Sequence, residues 1–211
     1  MKENSNNMQS KMWDERYSNQ EFAYGKLPNV FFEESIQKLK PGKILMPADG
    51  EGRNGVYAAK LGWNVTAIDL SLEGKQKALA LAKENNVTIN YLVNDLIQLD
   101  FEKESFDAIG LIYAHFSAEN KSLLHKKLDK YLKPGGLIIF EAFSKAHLQF
   151  NQLNPKVGGP KDIDTLFSIQ EIAADFSNYE FIVLAENEVD LAEGKYHIGK
   201  GSVIRFIGRK K

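Results

Sequence analysis

The sequence predicts a doubly wound α/β fold whose mostly parallel, seven-stranded sheet ends in an antiparallel hairpin. From Lys43 onward, short runs rich in Ile, Val and Leu alternate with helical patterns. Such alternation is typical of βαβ units, which build parallel sheets. The chain closes with two alternating apolar patterns, EFIVLAENEVDL and GSVIRFIGRK, joined by AEGKYHIGK. Two such patterns in succession predict a hairpin.

The elements of the core follow in a regular order. KILM, NVTAID and TINYLV are the first three strands, separated by the helices RNGVYAAKLG and LEGKQKALALAKENN. SFDAIGLIY is the fourth strand, ENKSLLHKKLDKYL a helix and LIIFEAF the fifth strand, with KPGG as a helix stop and turn. The next segment, SKAHLQFNQLNPKVGGPKDIDTLF, is too long and turn-rich for a plain connector and indicates a lid or binding loop. A helix from about Ser168 to Phe176 leads into the hairpin.

A chain of 211 residues is long enough for one domain, predicted to span 1–211. MKENSNNMQS is polar and aperiodic, so residues 1–10 are predicted to be disordered. WDERY and PNVFFEESIQKLK predict two helices in an N-terminal cap over 11–40, and Pro28 suits a helix's first turn. Residues 41–211 form the predicted α/β core.

Composition narrows the function classes. A formal net charge of -1 provides no general attraction to phosphate backbones, so a nucleic-acid partner is not expected. The absence of cysteine excludes disulfides, thiolate nucleophiles and thiolate metal sites, and no metal is predicted. With no transmembrane-length apolar run and no signal-peptide pattern, we expect a cytoplasmic protein without membrane contact. We also expect a monomer or a homodimer.

The stretch ADGEGRNG, from Ala48 to Gly55, matches the dinucleotide pattern GxGxxG. Glycines between a strand and a helix let the backbone pass close to a ligand, and the helix N-terminus favours hydrogen-bond-accepting groups. Asp69, at the end of the second strand, suits hydrogen bonds from two ribose hydroxyls. Dinucleotide and adenosyl sites share these features. The structural alternative is a packing turn, with Asp69 capping the helix that follows Ser71.

The tip of the third strand favours the adenosyl alternative. There Asn94, Asp95 and Leu96 place a carboxylate that could accept from an adenine amino group, followed by a backbone N–H that could donate to the ring. The terminal hairpin also departs from doubly wound dinucleotide domains, which normally continue with a parallel strand.

Together, ILMPADGEGRN, VTAIDLS, VNDL, FDAIGLIYAHF and YLKPGGLIIFEAF resemble the ordered motif set of class I S-adenosylmethionine-dependent methyltransferases, which are Rossmann-like. The resemblance runs from about Lys43 to Lys210. WDERY with YGKLPN, and GKYHIGKGSVIRFIGRK, are similar to the tellurite-resistance and thiopurine methyltransferase branch. The resemblance implies S-adenosyl-L-methionine as cofactor and a small-molecule methyl acceptor. A thiol, a thiopurine or a chalcogen oxyanion is favoured because a soft anion needs no catalytic base.

The resemblance also implies roles for individual residues. Gly50 and Gly52 pass beneath the cofactor, Asp69 holds the ribose, and Asp95 with Leu96 holds the adenine. The complete predicted cofactor-binding set is Trp13, Arg16, Tyr24, Ala48, Asp49, Gly50, Gly52, Asn54, Asp69, Leu70, Asn94, Asp95, Leu96 and Tyr113.

This chain departs from the family's glycine motif at two positions. An acidic residue usually stands where this chain has Met46, and a glycine where it has Ala48. Asp49 is the candidate substitute for the acid, which would hold the methionine ammonium. Gly55 is expected to serve helix packing.

The segment before the core is predicted to fold over the cofactor. Arg16 could donate two hydrogen bonds to the methionine carboxylate, and an aromatic face could lie against the sulfonium. In the structural alternative, Trp13 and Tyr17 form a helix face packed on the sheet.

His115 and Glu141 are the predicted catalytic residues. His115 follows the fourth strand, where open α/β sheets place ligands, and could act as a base or an orienting donor; a structural histidine is the alternative. Glu141 lies among apolar residues, where an acid needs a partner or a cavity, and Arg205 is the alternative partner. His197 and Arg205 lie on the terminal hairpin and either could reach the pocket, but an exposed His197 is favoured.

Three rival functions stay open at this stage. A dinucleotide-dependent oxidoreductase would use the same glycine turn, and a non-catalytic adenosyl-binding module would bind the cofactor without turnover. A nucleic-acid methyltransferase is the alternative within the same enzyme class.

Overall fold

A computed structural model describes the backbone of residues 2–211 and the side chains of residues 7–211. Its seven strands form one sheet in the order β3-β2-β1-β4-β5-β7-β6. The first five strands pair in parallel, and β7 is antiparallel to both β5 and β6. This confirms the predicted fold class. The strands are β1 Lys43–Pro47, β2 Asn64–Asp69, β3 Asn90–Val93, β4 Phe106–Ile112, β5 Leu132–Phe143, β6 Tyr179–Glu193 and β7 His197–Lys210.

Helices cover both faces of the sheet, as a doubly wound sheet requires. They are α1 Lys2–Tyr17, α2 Val30–Ile36, α3 Arg53–Lys60, α4 Leu72–Glu84, α5 Lys121–Asp129, α6 His147–Leu153 and α7 Ile169–Asp175. The predicted loop after β5 contains α6 and two short 3₁₀ turns, Pro155–Val157 and Ile163–Thr165. Among the described residues, no helix combines the length and apolar character needed to cross a membrane.

The sheet separates two apolar clusters. Leu45 belongs to one, with Phe140 and Phe206, whereas its neighbour Met46 belongs to the other, with Phe32. Successive side chains of a strand point to opposite faces, so a strand covered on both sides reads as a continuous apolar run. The KILM pattern is this kind of strand.

The N-terminal segment differs from the prediction. α1 runs over Lys2–Tyr17, whereas the sequence predicted disorder over 1–10; Met1 lies outside the described residues. The end of this helix is held by the β2–α4 turn. Ser10 Oγ donates to the Leu70 carbonyl at 2.9 Å, and Asp14 accepts from Ser71 Oγ at 2.6 Å. Contacts with a distant segment thus order a sequence that has no apolar periodicity of its own.

The hairpin is longer than predicted. Pairing continues to Glu193↔His197, so only Gly194 to Tyr196 remain as the turn. The turn packs against the N-terminal segment, where the Lys195 N–H donates to the Ala23 carbonyl at 2.9 Å. Because β7 runs antiparallel to β5, the start of β7 lies at the carboxyl edge of the parallel strands.

Candidate active site

Four neighbouring strand tips line the carboxyl edge of the parallel sheet. In the register, Pro47 lies beside Ile68, and Asp69 beside Val93. The Asn94 N–H donates to the Asp69 carbonyl at 3.0 Å, which ties the tips of β2 and β3 together. Ligands of open α/β sheets bind at this edge.

The glycine turn is built around the Asp69 carboxylate. One oxygen accepts from the Gly50 N–H at 2.9 Å and the other from the Ser71 N–H at 3.0 Å. Burial raises the pKa of Asp69 to about 6, against the backbone hydrogen bonds that lower it. Each oxygen keeps acceptor capacity, because a carboxylate oxygen has two lone pairs.

Backbone conformation explains the residues of the turn. Gly50 and Gly52 have φ values of 54° and 82°, a left-handed region that favours glycine. A Cβ on Gly52 would lie 2.5 Å from the Cβ of Ala78 in α4, so α4 packs directly on the turn. Ala48 is also left-handed, with φ 54°, although it is not a glycine. Ala48 therefore adopts a conformation that glycine, the usual residue of the family motif, adopts more readily.

The end of α1 covers this turn. Tyr17 is buried, and a Cβ on Gly50 would lie 2.6 Å from its hydroxyl oxygen. Trp13 stacks on Tyr17 with ring centroids 5.5 Å apart. Arg16 donates to the Tyr24 hydroxyl at 3.0 Å and lies over the Tyr196 ring at 4.5 Å. The structure thus brings the predicted cover residues together beside the glycine turn.

The tip of β3 is more open. The Asp95 N–H donates to Asn94 Oδ1 at 2.8 Å, and the Ile97 N–H donates to Asp95 Oδ1 at 2.9 Å. Leu96 directs its side chain into the core and is 6% exposed, so only its backbone can serve a ligand.

Asp49, Asn54 and Met46 face the body of the protein. Asp49 Oδ1 accepts from the Gly55 N–H at 3.2 Å, and its other carboxylate oxygen is buried without a partner. Burial raises the pKa of Asp49 well above its ordinary value. Asn54 Oδ1 accepts from the Asn29 N–H at 2.9 Å. Met46 is part of the apolar core.

The two predicted catalytic residues already have partners. Glu141 is 2% exposed, and its oxygens accept from Asn29 Nδ2 and Arg205 Nε, each at 2.6 Å. His115 Nδ1 lies 3.1 Å from the Thr165 carbonyl, and Nε2 lies 3.3 Å from the Phe143 N–H. Burial lowers the pKa of His115 to about 4. The neutral imidazole therefore donates to Thr165 and accepts from Phe143. The catalytic assignment of both residues stays a prediction.

A second polar group adjoins the tip of β4. Tyr113, with φ 52°, follows the strand, and its hydroxyl is buried without a well-formed hydrogen bond. Burial raises its pKa well above the usual value. The ring centroids of His197 and Tyr113 lie 4.6 Å apart. The expectation that His197 is exposed is wrong, since it is 4% exposed.

Sequence reasoning missed the partners of His197. Glu193 accepts from His197 Nδ1 and from Arg53 Nη2, both at 2.9 Å. Arg53 directly follows Gly52, so this network is continuous with the glycine turn. The position of Arg53 was the one available signal. Glu193 lies 140 residues further along the chain, and no local pattern joins the two.

The core of the chain is similar to known proteins. Residues 45–140 match the family model described as "Methyltransferase domain". The match covers 96 of the 211 residues and includes the glycine turn, Asp69 and the β3 tip. A likeness to methyltransferases favours an adenosyl ligand over a dinucleotide at that turn. The Ubiquinone biosynthesis O-methyltransferase of Rickettsia conorii is 33% identical over 121 residues, covering 57% of this chain and 42% of that protein. The chain thus matches less than half of that relative.

Solved structures share the fold over most of the chain. TehB from Haemophilus influenzae superposes with a TM-score of 0.69 at 19% identity, covering 96% of this chain and 67% of that one. A second solved structure is titled "Conversion of a Disulfide Bond into a Thioacetal Group during Echinomycin Biosynthesis". It superposes with a TM-score of 0.76 at 16% identity, covering 96% of this chain and 92% of that one. At these identities the likeness concerns the fold, so the tellurite-resistance and thiopurine branch remains a prediction.

The residues of the matched segment fit an adenosyl ligand by their chemistry. Asp69 supplies carboxylate oxygens that could accept from a ribose diol, and Ala48 at the start of the turn is exposed. The Tyr113 hydroxyl is buried without a well-formed hydrogen bond, and the nearby Glu141 carboxylate contributes to its raised pKa. Which residues contact the cofactor stays a prediction.

Proposed function

We propose that this chain transfers a methyl group from S-adenosylmethionine to a hydroxyl group of a small molecule. The observation that carries the proposal is the Asp69 carboxylate, held by the Gly50 and Ser71 amides at adjoining strand tips of a segment similar to methyltransferases. The O-methyltransferase named for the Rickettsia relative supports the choice of a hydroxyl acceptor. Because that match spans under half of the relative, acceptor identity rests on experiment.

The roles of the chain's residues follow from their chemistry. Asp69 would accept the ribose hydroxyls, Asp95 the adenine amino group, and the Leu96 N–H would donate to the adenine ring. When bound, S-adenosylmethionine supplies an electrophilic methyl group on a sulfonium. The protein's task is then to align the acceptor and exclude water. Trp13, Tyr17 and Arg16 on α1, stacked beside the glycine turn, would form the cover.

Other acceptors are separate outcomes of the same test. The sequence-based proposal of a thiol, thiopurine or chalcogen acceptor would need no base, because a soft anion attacks directly. Nucleic acid would give salt-dependent binding. Three further expectations also remain predictions: a monomer or homodimer, a single domain over 1–211 and a cytoplasmic location. Light scattering tests the oligomeric state.

The experiment follows methyl-labelled S-adenosylmethionine into a panel of catechols, hydroquinones, thiols, thiopurines, selenite, tellurite and RNA. We expect label on a hydroxyl acceptor, and loss of transfer in Asp69→Asn. The matched control is Asp190→Asn, which removes an exposed carboxylate on β6. Label only on sulfur or chalcogen acceptors, or transfer that survives in Asp69→Asn, contradicts the proposal.

A further inference from the structure

The segment between β5 and α7 forms a loop whose two ends lie side by side. Ser144 and Phe167 form a parallel β-bridge, and the Lys145 N–H donates to the Phe167 carbonyl at 2.9 Å. Residues 144–167 therefore leave the sheet and return to it at one place, as compact surface loops do. We call these residues the 144–167 loop. A loop of this kind can swing away without displacing β5 or α7.

A small apolar cluster holds the 144–167 loop to the sheet. Val157 and Leu166 are each 0% exposed and pack with Phe143 and Val203. This cluster is separate from the two larger clusters on the faces of the sheet. Because the cluster beneath the loop is the smaller, opening the loop should cost less free energy than unfolding the whole chain.

His147 joins the loop to β7 through both of its ring nitrogens, and it is 0% exposed. Nε2 lies 3.0 Å from the Gly158 carbonyl within the loop, and Nδ1 accepts from the Ser202 N–H on β7 at 3.2 Å. A carbonyl only accepts and an amide N–H only donates, so Nε2 carries the proton and Nδ1 is unprotonated. The neutral imidazole is thus the form that fits both partners.

His115 has the same arrangement at the other end of the loop. Nδ1 lies 3.1 Å from the Thr165 carbonyl, and Nε2 accepts from the Phe143 N–H at 3.3 Å. Both imidazoles also stack on the Phe143 ring, with centroid distances of 3.9 Å for His147 and 5.7 Å for His115. Closure of the loop therefore depends on two imidazole lone pairs, each facing a backbone amide of a strand.

Protonation removes both lone pairs. An imidazolium has two N–H donors and no acceptor, so His147 Nδ1 and His115 Nε2 would each direct a donor at a backbone N–H. Burial lowers the pKa of both imidazoles, to about 4 for His115. The closed loop therefore resists protonation. In an open loop the rings meet water, and the pKa of His115 returns to its ordinary value of 6.5.

We propose that the 144–167 loop is a proton-sensitive lid, which opens on acidification while the sheet beneath it stays folded. The open loop binds more protons than the closed one, so closure is fully favoured above pH 6.5 and weakens as the pH falls towards 4. Opening uncovers Phe143, whose ring packs on Tyr113 at the tip of β4 with centroids 4.7 Å apart. No contact with a cofactor or a methyl acceptor enters the proposal, so failure of the proposed function would leave it untouched.

Charged and titratable groups from several elements surround the two imidazoles. Lys121 and His197 disfavour a charged His115, and His197 also disfavours a charged His147. Among residues 7–211, the histidines paired with carboxylates are His125 and His197, so no carboxylate compensates a charge on the other two. The complete set around the rings is Tyr113, Lys121, Lys145, Glu171, Glu186, Glu193 and His197.

Hydrogen exchange on the unmodified chain measures the opening directly. With a pKa of about 4 in the closed loop and 6.5 in the open loop, His115 alone raises the open-to-closed ratio about 20-fold between pH 7 and pH 5. His147 adds a further factor in the same direction, because its pKa is also lowered. The protection factors of the Val157 and Phe167 amides should fall by about 20-fold or more, and amides of β1 should stay better protected at both pH values.

The absence of cysteine allows a second, site-specific test. Val157→Cys places one thiol between the loop and the sheet, and the matched control Val65→Cys places one on β2, where Val65 is 1% exposed. The thiol reagent 4,4′-dithiodipyridine, which also reacts in acid, is applied at pH 7 and pH 5. Each labelling rate is divided by that of the same variant unfolded in urea. We expect the corrected rate to rise about 20-fold or more in Val157→Cys and the control to stay unreactive.

Glutamine variants identify the titrating groups, because a glutamine amide donates and accepts but does not titrate. In Val157→Cys, the added change His115→Gln or His147→Gln should each remove part of the pH dependence, and both together should remove all of it. The matched control is His125→Gln, since the partner of His125 is Asp175 on α7, outside the loop. This variant should keep the full rise. Circular dichroism at pH 7 checks folding, and hydrogen exchange on the unmodified chain decides the matter if a variant does not fold.

Three results would overturn the proton-sensitive lid. The first is a corrected labelling rate of Val157→Cys, or protection of the loop amides, that is the same at pH 7 and pH 5. The second is equal acid labelling of Val65→Cys, because the chain would then unfold as a whole. The third is a full rise that persists when both histidines are replaced by glutamine.

Discussion

The affinity of the chain for the demethylated product, S-adenosylhomocysteine, should depend on the ionisation of Asp69. Ribose hydroxyls are donors and need the carboxylate form. Burial raises the pKa of Asp69 to about 6, so acidification protonates this residue before ordinary aspartates. Binding is therefore expected to be strong above pH 6 and to weaken as the pH falls through that value.

The size of the effect follows from the pKa. With a value of about 6, roughly nine tenths of Asp69 is ionised at pH 7 and roughly one tenth at pH 5. If only the ionised form binds, Kd rises by about tenfold between these pH values, or about 1.4 kcal/mol. Calorimetry in buffers of different ionisation enthalpy measures both the affinity and the proton released on binding.

Two variants identify the titrating group. Asp69→Asn should bind at least tenfold more weakly than the unmodified chain at pH 7, with no change in Kd between pH 5 and 7. Asp14→Asn should keep the pH dependence but move its midpoint to lower pH, because the charge of Asp14 contributes to the raised pKa of Asp69. A Kd that stays constant from pH 5 to 7, or the same slope in Asp69→Asn, would refute the reasoning.

Two further predictions concern stability. Ala48→Gly should raise the free energy of unfolding by about 0.5–1 kcal/mol, since a left-handed alanine costs about 1–2 kcal/mol and glycine's larger entropy loss offsets part of that gain. Thermal unfolding checks it, with the α3 interior change Ala58→Gly expected to destabilise; a lower Tm for Ala48→Gly would contradict it. Burial lowers the pKa of His115 from 6.5 to about 4 in the folded chain. Above pH 6.5 the imidazole is neutral in both the folded and the unfolded chain. As the pH falls from 6.5 towards 4, only the unfolded chain binds the proton, so the free energy of unfolding decreases. Urea titration measures how much the free energy of unfolding falls on acidification to pH 5. That decrease should be about 2 kcal/mol smaller in His115→Gln than in the unmodified chain, and equal decreases in both would contradict the prediction.

The strand-tip half of the candidate site was predictable because its parts are short and contiguous. The glycine turn follows β1, Asp69 ends β2, and the Asn94–Asp95 pair follows β3. Parallel strands bring their carboxyl ends to one edge, so an alternating βαβ pattern is enough to place these residues together. The same logic predicted the sheet and its terminal hairpin.

The remainder depended on contacts between distant segments. Nothing local in MKENSNNMQS predicts a helix, and the later part of α1 is held by contacts of Ser10 and Asp14 with the β2–α4 turn. His197 lies in a polar connector pattern, yet Tyr24 and Tyr113 bury it from two other segments. Burial of this kind cannot be predicted from periodicity.

This difference bears on how acceptor choice is encoded. The matched segment 45–140 contains most of the predicted cofactor-binding residues but supplies only Tyr113 to the rings packed around His197. The other rings, Tyr24 and Phe143, and His197 itself come from regions on either side of that segment, and Glu193 comes from the same hairpin as His197. Proteins that share the core alone can therefore share the cofactor and still act on different acceptors. For this chain, altering the hairpin turn should change the acceptor. It should change the Kd for S-adenosylhomocysteine less than Asp69→Asn does, because the turn contacts only the predicted cover, through Tyr196 and Arg16.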